Sequence, residues 1–225
     1  MLAQIVLFDG FDPLDAIAPY EVLEAGRMVT DGVLEVELVS AEGAREVPSG
    51  LGSLSLRATA ALQPARANLV VVPGALGRLP DEVEPTDEPT EGTIPVVLAR
   101  TLDTALPGLL KKALDCPGLT VATVCGGSMV LAMAGLIEGR PATTHHMGRD
   151  LLEATGAIPV DARVVDDGDL VTCATVTSGL DLGLYLLERE IGPRVALAVE
   201  NLIAHERRGT VWRDTGPQPT IGARR

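Results

Sequence analysis

Five apolar runs of strand length, separated by stretches long enough to be helices, constrain this chain more than anything else in its sequence. They are AQIVLF (3–8), LEVELVS (34–40), NLVVVPG (68–74), LTVATVC (119–125) and DLVTCAT (169–175). Strands that alternate with helices build parallel crossover units, in which each helix carries the chain back to the start of the next strand. Helices are expected at 15–29, 93–115, 127–137, 146–155, 178–191 and 193–207. Aromatic residues make up only 2% of a chain that is 46% hydrophobic, so the core must be aliphatic. Val, Leu, Ile and Ala are the side chains that fill a parallel sheet covered on both faces. An α/β fold follows, as one domain over residues 1–208 with a polar tail at 209–225.

Thirty-one acidic residues against eighteen basic ones give a net charge of −13. Such a surface repels phosphate backbones and anionic membranes, which argues against nucleic acid and membrane partners. The first ten residues hold a strand-length apolar run with no basic residue before it, unlike a secretion signal. No apolar run approaches the roughly 20 residues that span a bilayer, so the expectation is a cytoplasmic protein. Residues 77–93 carry six acids, three prolines and one base and read as an exposed loop. Gly50 and Gly52 punctuate alternating apolar positions at 49–56, which reads as a small accessory hairpin.

The three cysteines, Cys116, Cys125 and Cys173, lack metal-ligand spacing, and no metal or organic cofactor is expected. Cys125 stands apart because an apolar strand runs straight into it, followed by Gly126, Gly127 and an amphipathic stretch. This is the outline of a nucleophile elbow, a sharp strand-to-helix turn that presents its side chain at the carboxyl edge of the sheet. The start of the next helix is expected to favour thiolate over thiol. Cys116, before Pro117, and Cys173, within a strand, read as structural.

Acidic partners for the cysteine are available in the segment after the first strand, at Asp9, Asp12, Asp15 and Glu21, because that segment opens on the same sheet edge. Asp15 is equally explained as a cap of the following helix. The third strand ends at Pro73-Gly74, where the N–H groups of Gly74 and Ala75 are placed to meet an oxyanion. His145 and His146 read either as turn caps or as members of the site, with His145 the candidate substrate-binding residue.

Taken together, LDAIAPYEVL, VVVPGALG, TVCGGSMVLAMAGLIEGRPATTHH and TSGLDLGLYLLEREIG resemble the ThiJ/PfpI superfamily, whose fold is similar to class I glutamine amidotransferase domains. The resemblance covers most of residues 1–208. It implies a flavodoxin-like three-layer α/β/α sandwich, a homodimer, a nucleophile at Cys125, its acid at Asp15, and oxyanion donors at the backbone of Ala75 and Gly126. Asp15, GLIEGRPATTHH and VTSGLD look most like the isonitrile hydratase branch and the ligand-binding halves of some transcription activators. That similarity implies a small-molecule substrate, with isonitrile hydration as the leading reaction. The rivals are a ligand or redox sensor and glyoxalase or deglycase chemistry. Gly126 departs from the His of the protease and deglycase branches and from the Thr common in the hydratases. Ala75 departs from the usual second glycine of the PGG turn. The polar end of the chain is too short for a helix-turn-helix domain, which disfavours direct DNA control.

Overall fold

The computed structural model describes residues 1–78 and 91–217. The chain runs β1 (Leu2–Leu7), α1 (Pro13–Val29), β2 (Glu35–Ser40), β3 (Arg45–Pro48), β4 (Ser55–Ala58), β5 (Ala60–Ala61) and β6 (Leu69–Val72). It continues with α2 (Ile94–Arg100), α3 (Leu106–Leu114), β7 (Thr120–Val124), α4 (Gly127–Met133), β8 (Pro141–Ala142), α5 (Arg149–Ala154) and β9 (Ile158–Pro159). The last elements are β10 (Val164–Asp167), β11 (Leu170–Cys173), α6 (Ser178–Glu190), α7 (Pro193–Ile203) and β12 (Trp212–Arg213).

One sheet organises the domain in the order β12-β10-β11-β7-β6-β1-β2-β5. Its centre, β11 through β2, is parallel throughout, and β1, β6 and β7 are buried along their whole length. That is why these strands read as unbroken aliphatic runs: both faces are covered. Helices α1, α6 and α7 pack together as one group, and α2, α3 and α4 form another. The result is the α/β sandwich expected from the alternation. Among the described residues, no helix is long and apolar enough to cross a membrane.

Several elements differ from the sequence expectation. The helix expected over 93–115 is two helices split by a single 3-10 turn at Thr101–Asp103. Thr101 and Thr104 turn their hydroxyls onto preceding carbonyls, and Thr104 Oγ1 also accepts from Leu106 N at the start of α3, which is how Thr side chains compete with helical hydrogen bonding. The 49–56 segment is mostly the turn of a hairpin whose strands, β3 and β4, flank it. A strand at 164–167 pairs antiparallel with β11 across Gly168, and Trp212–Arg213, in the segment read as a polar tail, pairs with it as the edge strand. Of the acidic loop at 77–93, residues 79–90 lie outside the described residues. Its two ends meet, Arg78 N donating to Gly92 O at 2.9 Å and Ile94 N to Arg78 O at 3.1 Å.

The topology sets the site. Strands β11, β7, β6 and β1 are consecutive neighbours and point the same way, so Cys173, Cys125, Pro73-Gly74 and the β1–α1 segment emerge side by side at one edge. The carboxyl edge of an open parallel sheet is where such folds place their ligands.

Candidate functional site

Cys125 leaves β7 with φ of +54°, one of three non-glycine residues with positive φ among the described residues. A left-handed conformation costs a side-chain-bearing residue about 1–3 kcal/mol and persists only when its surroundings hold it. Those surroundings are specific. Cys125 N donates to Cys173 O at 3.0 Å, and its carbonyl accepts from Thr144 Oγ1 at 3.1 Å and Ser128 Oγ at 3.3 Å. The residue is buried, with 8% of its surface exposed.

The two glycines after the cysteine have different reasons. A Cβ on Gly127 would stand 2.1 Å from Val72 O, so the close approach of α4 to β6 demands glycine there. A Cβ on Gly126 would meet nothing nearer than Leu98 Cδ1 at 3.4 Å, an ordinary contact. Gly74 is demanding as well, since a Cβ there would lie 2.7 Å from both Asp15 Oδ2 and Gly126 N. Gly74 is thus the point at which the β6 turn, the acid and the elbow touch.

The structure separates the four acidic candidates. Asp12 is the helix cap, its Oδ1 accepting from Leu14 N at 2.9 Å, so capping does not explain Asp15. Exposed Asp9 pairs with half-buried Arg45, and Glu21 faces solvent. Asp15 is fully buried. Pro19, one turn further on, supplies no N–H to the Asp15 carbonyl. Asp15 Oδ2 accepts from Gly74 N at 3.0 Å, whereas Oδ1 has no hydrogen-bond partner among the described residues. The Cys125 thiol lies against this carboxyl group and interacts with it.

Burial, and after it the charge of Asp12, push the Asp15 carboxyl up from 3.8 to about 7, against the opposing pull of Gly74 N–H and the thiol. Burial, and then the charge of Asp15, push the Cys125 thiol up as well, and the Gly126 N–H only partly offsets them. Both effects favour the thiol over the thiolate, in the direction opposite to that expected from the helix start. Helix α4 is two turns long, and one N–H at its head is outweighed by the loss of water and a neighbouring carboxylate.

The other candidates are placed as follows. Gly74 N–H is engaged by Asp15, which removes it from the oxyanion donors. The N–H groups of Ala75 and Gly126 donate to no backbone acceptor among the described residues, and the two lie on facing turns. His145 is half-buried; its Nδ1 accepts from Met147 N at 3.3 Å, and its ring stands 4.1 Å from that of His146. Burial, then His146, hold the His145 imidazole below its usual range. Cys173 is buried in β11 with its thiol pushed up by burial. Among the described residues, no group of three or more His, Cys, Asp or Glu could hold a metal ion.

Sequence reasoning missed Thr144 and Ser128. Ser128 was findable, since a hydroxyl in the first turn of a helix commonly bonds back to the carbonyl three residues earlier. Thr144 was not, because nineteen residues separate it from Cys125.

A parallel α/β sandwich with a cysteine on a strained strand-to-helix turn, backed by a buried carboxyl group, defines a class of elbow-cysteine proteins. Residues 100–189 match the DJ-1/PfpI family. A Streptomyces lividans protein encoded in the cpoL 5′ region is 34% identical over 142 residues, 63% of this chain and 84% of that one. The chain belongs to the DJ-1/PfpI family. Isonitrile hydratase of Pseudomonas putida is 48% identical over 80 residues, 36% of this chain and 35% of that enzyme. The HTH-type transcriptional regulator CdhR of Pseudomonas aeruginosa is 29% identical over 198 residues, 86% of this chain and 52% of the regulator. The matched stretches thus span about half or less of these two relatives. A ThiJ/PfpI family protein from Pseudomonas syringae superposes with a TM-score of 0.72 at 25% identity, over 99% of this chain and 78% of that one.

Proposed function

We propose that the protein is a cysteine-dependent hydratase of small electrophilic molecules, with an isonitrile as substrate and an N-substituted formamide as product. The observation that carries this reading is the state of Asp15: buried, ionising near neutrality, anchored through one oxygen and open at the other, against the Cys125 thiol. A proton carrier works best when its pKa lies near the working pH.

In the proposed reaction Asp15 accepts the thiol proton as the Cys125 sulfur bonds to the terminal isonitrile carbon, and then gives that proton to the same carbon. The product is a thioimidate, Cys–S–CH=N–R. Water adds to its carbon, Asp15 shuttles the proton, and the C–S bond breaks to return the thiol and release R–NH–CHO. The N–H groups of Ala75 and Gly126 stabilise charge that develops next to the attacked carbon. With Gly126 in the place of a hydroxyl-bearing residue, the attacking water must be oriented by Asp15 and the substrate. The partial isonitrile hydratase relative supports this substrate class, and a homodimer is part of the reading.

The test is to incubate wild type and Cys125→Ser with an alkyl isonitrile and with methylglyoxal, following formamide and lactate. Formamide from wild type alone is the expected result. Lactate in its place would move the assignment to aldehyde chemistry. Silence on both, with reversible oxidation of Cys125, would favour a sensor, the reading that the regulator relative keeps in view.

A further inference from the structure

The peptide group between Cys125 and Gly126 is held from one side and used from the other. In a trans peptide the C=O and N–H point in opposite directions, so fixing one aims the other. Here the carbonyl half accepts two buried hydroxyls, Thr144 Oγ1 and Ser128 Oγ, while the N–H half belongs to Gly126 and faces the sulfur. Ser128 is local, in the first turn of α4. Thr144 arrives from the segment after β8, and that segment is itself anchored, since Thr143 N donates to Thr172 Oγ1 at 2.8 Å. Thr172 pairs in register with Thr123 of β7, two residues before the cysteine. A line of contacts therefore runs from the sheet through 143 and 144 to the back of the elbow.

We propose that Thr144 is a positioning residue: with Ser128 it clamps the Cys125 carbonyl, and so points the Gly126 N–H at the sulfur and at the atom the sulfur attacks. Among the described residues, no other side chain bonds the Cys125 carbonyl to prevent the commonest relaxation of a strained turn, a flip of its peptide plane. Cys125 has positive φ and no glycine freedom, and Gly126 next to it has the freedom to let the plane rotate. A flipped plane would turn a carbonyl oxygen toward the thiol and the incoming substrate, replacing a donor with an acceptor. The role in catalysis rests on the hydratase reading; the clamp itself does not.

The experiment follows alkylation of Cys125 by iodoacetamide across pH, read on its own peptide by mass spectrometry so that half-buried Cys116 does not contribute, alongside isonitrile turnover. In the full chain, Thr144→Val keeps the shape and removes the hydroxyl. It is expected to move the alkylation profile to higher pH and to lower kcat about tenfold with KM nearly unchanged, less than the loss of a whole oxyanion donor. Thr144→Ser, which restores the hydroxyl, is expected to bring back both. Ser128→Ala is expected to shift the profile in the same direction by less, and it carries the test should Thr144→Val fail to fold. A Thr144→Val profile that superimposes on wild type overturns the proposal, as does an unmoved Ser128→Ala profile in the fallback. If wild type makes no formamide but the profile still moves, the clamp stands and the hydratase reading falls.

Discussion

Asp15 on α1 and Asp181 on α6 are both withdrawn from solvent, on helices that pack against each other, yet their surroundings treat them in opposite ways. Asp181 is saturated: Oδ2 accepts from Arg163 Nε at 2.5 Å, and Oδ1 takes His205 Nε2 at 3.1 Å and Arg208 N at 2.9 Å. It ties β10, α6 and the segment after α7 into one cluster, and nearby Arg213 and Asp166 both bond the Tyr185 hydroxyl. Among the described residues, Asp15 has one firm donor, an open oxygen and no cationic side chain paired with it. A buried carboxylate that is fully paired stabilises a fold, whereas one left short of partners costs stability and keeps its proton near neutrality. The difference separates a structural acid from a chemical one within a single pair of helices.

Removing the saturated acid should have the largest effect on folding. Asp181→Ala strands a partly buried Arg163 and is expected to cost about 3 kcal/mol in urea denaturation, with turnover per folded molecule unchanged. Loss of turnover at full stability would erase the contrast.

Asp15→Asn should do the reverse. Folded Asp15 keeps its proton to about pH 7 while the unfolded chain releases it near 3.8. The folded state thus binds more protons between these limits, and wild-type stability falls as pH climbs through that window and levels off above it. The asparagine variant should lack this dependence and be the more stable of the two at pH 8, while formamide production drops at least tenfold, about 1.4 kcal/mol in the barrier. Parallel stability curves for the two proteins would reduce Asp15 to a structural group.

Gly74→Ala probes the same acid from outside it. A methyl 2.7 Å from Asp15 Oδ2 and Gly126 N must displace one of them, so kinetics should show about a tenfold loss in kcat/KM. Gly126→Ala, with only ordinary contacts to make, should fold and titrate like wild type. The smallest change belongs to the saturated cluster: His205→Ala removes one of Asp181's donors and should cost about 1 kcal/mol, read from the urea midpoint.

Much of this arrangement was legible in the residues. All five apolar runs became sheet strands, four of them because a strand buried on both faces has no polar alternation to hide it, and β2, exposed at its start, through its alternation. Cys125 was legible as an elbow because a strand meeting two glycines and a helix has few other geometries. Strand β10 was missed although Asp167-Gly168 between apolar stretches is a hairpin signal, and β12 because two residues of an edge strand carry almost no pattern. Asp12 and Asp15 could not be told apart as cap and acid, since both sit at a helix start and only the approach of Gly74 selects one. Gly126 and Gly127 looked equivalent until Val72 O was found against the second alone.

What the residues determined by themselves is order: which strand ends are neighbours, which side chain occupies the turn, and where glycine permits close approach. Those follow from local periodicity and backbone sterics. The tertiary structure alone decided charge and aim, because the proton affinities of Asp15 and Cys125 depend on how much water packing removes, and the direction of the Gly126 N–H depends on a threonine brought from a distant part of the chain.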